Sequence, residues 1–254
     1  MSHHIVEVKN LAYAYPDGTS AIDDVSFRIT HGESVAIVGA NGAGKSTLLH
    51  HLNGYITPTA GTVRIGDFFL TRKTLQDVRR TVGMVFQNCD DQLFMPTVFD
   101  DVAFGPLNLG LEAEQVERHV EQALDKVSAL HLRDRPSHRL SGGEKRSVAI
   151  ATVLAMSPDI LVMDEPSSGL DPQGRRTMMG LLMSFHHTKI IASHDLDLVL
   201  DLCERTIVLH DGKVVADGPT GEIFNEADLL ERSHLERPLR LQGCPACGAS
   251  GARE

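Results

Sequence analysis

An α/β fold with a mixed, mostly parallel sheet is predicted by three observations: a strand that runs into a glycine-rich loop and a helix, strand-like runs that alternate with helical stretches in the second half, and a helical interlude between them. The first is Ser34-Val35-Ala36-Ile37-Val38, which ends in Gly39-Ala40-Asn41-Gly42-Ala43-Gly44-Lys45-Ser46 and leads to a helical segment from Lys45 to about Leu52. That is the strand, loop and helix order of a P-loop core. The second is the series Asp159 to Met163, Lys189 to Ala192 and Arg205 to Leu209, with helical stretches between. The third spans about 88–157, with helical patterns at Val98 to Phe104, Ala113 to Leu130 and Gly143 to Met156, and predicts a helical subdomain inserted into the core. Ahead of the loop, Ile5 to Val8 and Ile22 to Ile29 flank a Pro16-Asp17-Gly18 turn, with Val25, Phe27 and Ile29 on one face, so an N-terminal antiparallel β subdomain is expected. Asp211-Gly212 should turn a hairpin between Val208 and Val215. One domain is read over 1–225, followed by an extension at 226–254, charged and then rich in Gly and Ala, that is expected to be partly disordered.

A chain of 254 residues with 42% hydrophobic content can bury a substantial core. Its 34 acidic and 24 basic side chains leave a formal charge of -10, which argues against a nucleic-acid partner for the surface as a whole. No apolar stretch approaches the roughly 18 residues that a membrane span needs, and Met1 to Glu7 lacks the regions of a signal peptide, so the expected location is the cytoplasm. Cys89 and Cys203 are isolated and expected to be reduced. Cys244-Pro245-Ala246-Cys247 is by itself half of a zinc site, and with no second pair in the chain a local disulfide or no role at all is expected ahead of a metal site. The pairs His3-His4, His50-His51 and His186-His187 share no framework, and most are expected at the surface.

The loop has the chemistry of a phosphate site. Gly39 and Gly44 allow a tight turn, so the amide hydrogens of Gly42, Ala43 and Gly44 can converge on an anion at the positive end of a helix. Lys45 adds a point charge, Ser46 offers a hydroxyl to Mg²⁺, and Asn41 and Thr47 complete the expected nucleotide-binding set. Downstream, the apolar run Ile160-Leu161-Val162-Met163 delivers Asp164 and Glu165 before Pro166 stops the strand. Adjacent strand residues point to opposite sides, so Asp164 can hold the Mg²⁺ shell while Glu165 polarises the attacking water. ATP and Mg²⁺ are the cofactors this pattern predicts.

Leu140-Ser141-Gly142-Gly143-Glu144-Lys145-Arg146 resembles the signature motif of ABC ATPases. Independently of the family, Ser141 can cap a helix whose first glycines leave amide hydrogens open to an anion. Val85-Phe86-Gln87 is similar to the family's Q-loop, Ser168-Gly169-Leu170-Asp171 to its D-loop, and Ile191-Ala192-Ser193-His194-Asp195 to its switch-histidine segment. Tyr15 matches the aromatic that stacks on adenine, with Tyr13 a neighbouring competitor. The resemblance covers about 5–225 and identifies this stretch as an ABC nucleotide-binding domain with an inserted helical subdomain. It implies that two chains meet head to tail, with Ser141, Gly142 and Gly143 of one acting on the ATP held by Lys45 and Ser46 of the other. It also implies that Gln87 reaches Mg²⁺ and the attacking water, that His194 contacts the γ-phosphate and helps arrange Glu165 and the water in the closed dimer, and that Asp171 is the D-loop aspartate.

The segment from Asn88 to Gly110 resembles energy-coupling-factor ATPases, especially the cobalt and nickel uptake type called CbiO or NikO. Cys89 stands where that pattern usually has proline. The resemblance implies a peripheral position on the cytoplasmic face of the inner membrane, beneath a transmembrane coupling protein and a substrate-capturing component. Leu93, Phe94 and Met95, with Val98 and Phe99, form an apolar cluster suited to gripping a partner helix in a groove, or to packing the helical subdomain. The run Leu196 to Leu202 shares the likeness and is equally good core. A homodimer is expected ahead of a pair with a related chain. Cobalt or nickel is expected ahead of a vitamin as cargo, with a soluble ABC ATPase or an ATP-gated interaction module as the other readings.

Overall fold

A computed structural model describes residues 6–242. Strands β1 (Val6–Ala14) and β2 (Ser20–Ile29) lead to β3 (Ser34–Val38), the loop, and α1 (Lys45–Leu52). Then follow β4 (Ala60–Ile65), β5 (Phe68–Phe69), α2 (Leu75–Thr81) and β6 (Val82–Val85). Three helices come next: α3 (Val98–Asn108), α4 (Ala113–Lys126) and α5 (Gly142–Leu154). The rest alternates: β7 (Ile160–Asp164), α6 (Pro172–Ser184), β8 (Thr188–Ala192), α7 (Leu196–Leu202), β9 (Arg205–His210), β10 (Lys213–Pro219), α8 (Thr220–Ile223) and α9 (Ala227–Arg232).

Two sheets result. One is antiparallel in the order β2-β1-β4-β5; the other runs β10-β9-β3-β8-β7-β6, parallel throughout except for the β9–β10 hairpin. Both faces of the parallel sheet are covered, which is why β3 and β7 read as unbroken apolar runs and are buried at every position. Val35 and Ile37 join a core shared with the antiparallel sheet and α1, whereas Ala36 and Val38 join the core of the other face with α3, α4 and α5. The expected hairpin is turned by Asp211 and Gly212, both in the left-handed region at φ 46° and 74°, the pair of positive φ values of a type I′ turn. Among the described residues no helix is long and apolar enough to cross a membrane.

The structure corrects several boundaries. Helix α3 continues through Pro106 to Asn108, and α4 stops at Lys126 because Ser128 turns left-handed at φ 56°. Within the extension, residues 226–242 are folded, because Leu229 and Leu230 are buried in the same core as Phe224 and Leu235 packs on it. Arg240 ties the end of this stretch to Asp201 of α7 at 2.6 Å. Met1 to Ile5, including His3 and His4, and residues 243–254, including Cys244 and Cys247, lie outside the described residues. His51, expected at the surface with its neighbours, is fully buried beneath Tyr13.

Candidate functional site

The glycine loop is pressed between β2 and β9. A Cβ on Gly39 would lie 2.3 Å from the Leu209 carbonyl oxygen, and one on Gly44, whose φ is +101°, would lie 2.5 Å from that of Ala21. No side chain fits at either position, so the chain's own packing demands both glycines. Helix α1 starts without a side-chain cap, which leaves its first amide hydrogens for an anion. Lys45 is buried and its Nζ donates to the carbonyls of Gly39 (2.8 Å) and Ala40 (3.1 Å). A cavity of about 400 Å³ opens over the loop, lined by Asn41, Gly42, Gly44, Lys45, Ser46 and Thr47 together with Tyr15, Gln87, Asp164 and Glu165. Of the two tyrosines, Tyr15 faces this cavity, its hydroxyl 2.8 Å from Thr47 Oγ1, while the Tyr13 ring stands edge-on to Tyr15 and to His51.

Strand β7 carries the acids to the same place. Asp164 is 2% exposed, and its Oδ1 accepts no hydrogen bond among the described residues. Burial pushes its carboxyl above the usual range, against the opposing pull of a hydrogen bond from Ser46 and the Lys45 charge. An unpartnered buried carboxylate oxygen beside a hydroxyl is a pair of hard oxygen donors that fits Mg²⁺. Glu165 leaves the strand in the left-handed region at φ 49°, a conformation uncommon for residues other than glycine. Because β7 and β8 pair in parallel with Asp164 opposite Ala192, Glu165 meets the segment after β8. Its Oε2 lies 2.7 Å from His194 Nδ1 and accepts from the Ser193 hydroxyl and the His194 amide, both at 3.3 Å.

A larger cavity of about 680 Å³ lies on the far side of Glu165 and is walled by Gln87, His194 and the folded extension from His234 to Leu239. The signature residues line neither cavity. Ser141 caps α5 in a reciprocal box, accepting from the Glu144 amide at 3.3 Å while the Glu144 carboxylate accepts from the Ser141 amide at 2.7 Å. A Cβ on Gly142 would meet nothing within 4 Å, and one on Gly143 only Leu170 at 3.8 Å. Asp171 also stands apart from both cavities and caps α6 through the Gly174 amide at 2.6 Å.

Residues 22–168, more than half the chain, match the family model described as ABC transporter. The chain belongs to the ABC transporter family. It is 69% identical, over 98% of its own length and 100% of the relative's, to a Geobacter sulfurreducens protein described as an ABC transporter ATP-binding protein. It is 46% identical to the energy-coupling factor transporter ATP-binding protein EcfA of Methanocaldococcus jannaschii, over 92% of this chain and 86% of that one. The solved structure of CbiO1 from Clostridium perfringens, part of the ABC transporter complex CbiONQ, superimposes with a TM-score of 0.77 at 39% identity, covering 91% of this chain and 94% of that chain. A dimeric post-hydrolysis structure of the cassette MJ0796, bound to ADP and Pi, gives a TM-score of 0.77 at 29% identity, over 85% and 98%. The chain is thus an ABC transporter ATP-binding subunit, similar to EcfA and CbiO, whose ATP hydrolysis is coupled to transport.

Within this ABC subunit the segment after Gln87 departs from expectation. Leu93 is buried at 8% exposure because a tight turn at Cys89–Asp91 swings it into the core, so it does not line a surface groove. Val98 is fully buried as well, and Met95 is half-buried. Phe94 alone of the three points outward, at 62% exposure, and stacks edge-on against Phe104 at 5.1 Å. Leu107, one turn on from Phe104, extends this exposed face. Sequence reasoning missed Phe104 and Leu107 because the helical pattern ended at Phe104, whereas the helix runs on through Pro106 to Asn108.

Proposed function

We propose that the chain is the ATP-hydrolysing subunit of an energy-coupling-factor importer for cobalt or nickel ions, working as a homodimer at the cytoplasmic face of the inner membrane. The observation that carries this reading is the exposed aromatic face of Phe94 and Phe104, directly behind Gln87, in a chain similar over 91% of its length to a component of CbiONQ. That face fits a partner helix presented by a transmembrane coupling protein, which in turn works with a substrate-capturing component.

In this reading Tyr15 stacks on adenine and the loop amides from Gly39 to Thr47, with Lys45, hold the phosphates. Ser46 and Asp164, with Gln87, would hold Mg²⁺, which would supply charge neutralisation at the phosphates. Glu165 takes a proton from the attacking water as its oxygen bonds to the γ-phosphorus and the bond to the bridging oxygen breaks, giving ADP and phosphate. His194 faces Glu165 through Nδ1, and with both ring nitrogens protonated its Nε2–H would donate to the γ-phosphate. Ser141, Gly142 and Gly143 complete the site of the second chain, with Asp171 at the boundary between the two.

The test is to purify the chain with its membrane partners, reconstitute the complex in vesicles and measure ATP-dependent accumulation of radiolabelled cobalt, nickel and a vitamin in parallel. Cobalt or nickel uptake is expected. Vitamin uptake alone would move the cargo to the other branch, and isolation with soluble partners only would end the transport reading. In the same vesicles Phe94→Asp should keep ATP hydrolysis while abolishing uptake.

A further inference from the structure

Arg146 sits on α5, five residues beyond Ser141, and is only 4% exposed. Among the described residues it has no carboxylate partner; its Nη1 donates to the Phe86 carbonyl at 2.9 Å and its Nη2 to the Gln87 carbonyl at 2.7 Å. A buried cation without an acid is a costly way to fill space, and an apolar side chain of the same size would pack with less desolvation. The geometry states what the charge is for. Consecutive carbonyls of an extended strand point to opposite sides, so one planar guanidinium can hold both only where the chain has turned. That turn comes immediately after β6 ends at Val85, where Gln87 must leave the sheet to reach the cavity.

Gln92 makes a second tie between the same two elements. Its Oε1 accepts from the Phe86 amide at 3.2 Å, while its Nε2 donates to Ala149 O at 2.8 Å and Thr152 Oγ1 at 2.7 Å on α5. Phe86 is thereby held at both its amide and its carbonyl by groups fixed to the signature helix.

We infer that Arg146 is a positioning residue for hydrolysis. Its fork sets the bend that aims Gln87 into the cavity with Asp164 and Glu165, and makes the placement of Gln87 depend on the placement of the helix that begins at Ser141. A shift of the signature helix is transmitted to Gln87 through hydrogen bonds from the Arg146 side chain to the Phe86 and Gln87 carbonyls. This inference rests on the reading of Gln87 as part of the catalytic set.

The test is a double-mutant cycle on the full chain, with kcat, KM for ATP, nucleotide affinity and Tm measured for Arg146→Met, Arg146→Lys, Gln87→Ala and Gln87→Ala combined with Arg146→Met. Arg146→Met should lower kcat by about tenfold or more, because displacement of about 1 Å at a catalytic group has effects of that order or larger. KM and nucleotide affinity should stay within about twofold, since uniform binding by the loop and Tyr15 is untouched. Arg146→Lys should recover only part of kcat, because a point charge cannot hold two carbonyls as a planar fork does. In the Gln87→Ala background, Arg146→Met should add little further loss. Wild-type kcat in Arg146→Met, or a full multiplicative loss in the double variant, overturns the inference. If Gln87→Ala itself keeps wild-type kcat, the reading of Gln87 fails and the inference with it. If Arg146→Met does not fold, Arg146→Lys decides: lowered kcat at unchanged Tm supports the inference, and wild-type kcat overturns it.

Discussion

The glycines at the two ends of the ATP machinery differ in what requires them. Gly39 and Gly44 are hemmed in by the backbone carbonyls of Leu209 and Ala21 at 2.3 and 2.5 Å. Gly142 and Gly143 have open space, and neither takes a left-handed φ. One end is dictated by this chain's own packing. The other has glycines for which this chain supplies no reason, as expected of a surface shaped for something outside it. The phosphate loop, Asp164, Glu165 and His194 converge within the chain, whereas Ser141, Gly142 and Gly143 line neither cavity.

The largest effect should come from breaking the self-contained end at its base. Glu165→Gln removes the proton acceptor and leaves the phosphate contacts, so multi-turnover phosphate release should fall by about 10²–10⁴-fold. Nucleotide affinity should persist, and gel filtration with ATP should show a dimer that no longer dissociates. Hydrolysis near the wild-type rate would remove Glu165 from its assigned role.

The glycines themselves sharpen the contrast. Gly44→Ala forces a Cβ against backbone in a strained conformation, and a loss of about 1–3 kcal/mol of stability is expected in urea melts. Gly143→Ala sits in the first turn of α5 with room to spare, so its Tm should stay at or slightly above wild type. Its hydrolysis should nevertheless fall, because in the proposed dimer the added methyl would face the second chain's phosphate. Equal destabilisation by the two substitutions would erase the distinction between the two ends.

Much of the self-contained end was legible in the sequence because local chemistry imposes it. Gly39 to Ser46, the Asp164-Glu165 step off an apolar strand, and the Asp211-Gly212 turn are each short stretches whose residue types leave few alternatives. Strand β4 was not anticipated, since only Val63 and Ile65 are buried in it and two positions make no clear alternation. Arg146 and Gln92 were illegible as braces because their bonds join residues 57 to 60 positions apart. The fold of 226–242 was hidden in the same way: charges dominate its composition, while Leu229, Leu230 and Leu235 do the packing. The exposed partner of Phe94 was missed because Phe104 lies ten positions away, on a helix that the sequence pattern ended there.

A smaller effect separates the two ends by pH. His51, on the buried face of the loop helix α1, has its Nδ1 2.7 Å from the Thr47 carbonyl, so Nδ1 carries the proton; Nε2 is buried with no hydrogen-bond partner among the described residues. Burial is the main cause that holds this imidazole below its ordinary value of 6.5. The unfolded chain therefore takes up the proton more readily, and the stability tied to the neutral ring is complete above that unfolded value and lost as pH falls through it toward the lowered one. His51→Gln does not titrate. The stability difference between wild type and His51→Gln, from urea melts, should shift against wild type by up to about 1.4 kcal/mol for each pH unit in that window. Parallel pH profiles would show that His51 is not the group responsible.

The smallest effect concerns the brace that closes the wall beside His194. Arg240 pairs with Asp201 at 2.6 Å, and the Leu239 and Arg240 amides donate to the Asp197 carboxylate at 3.1 Å each. The Arg240 side chain is 54% exposed, so water and salt screen its charge, and a contribution of about 1 kcal/mol or less is expected from it. Arg240→Met keeps the two backbone bonds and most of the apolar stem, and should lower Tm by only a few degrees. That difference should shrink further in concentrated salt, because the part removed is electrostatic. Nucleotide affinity should be unchanged, since the loop end is held by its own packing. A large loss of affinity in Arg240→Met would mean that the loop end is not self-contained and depends on the folded extension to hold α7 and His194 in place.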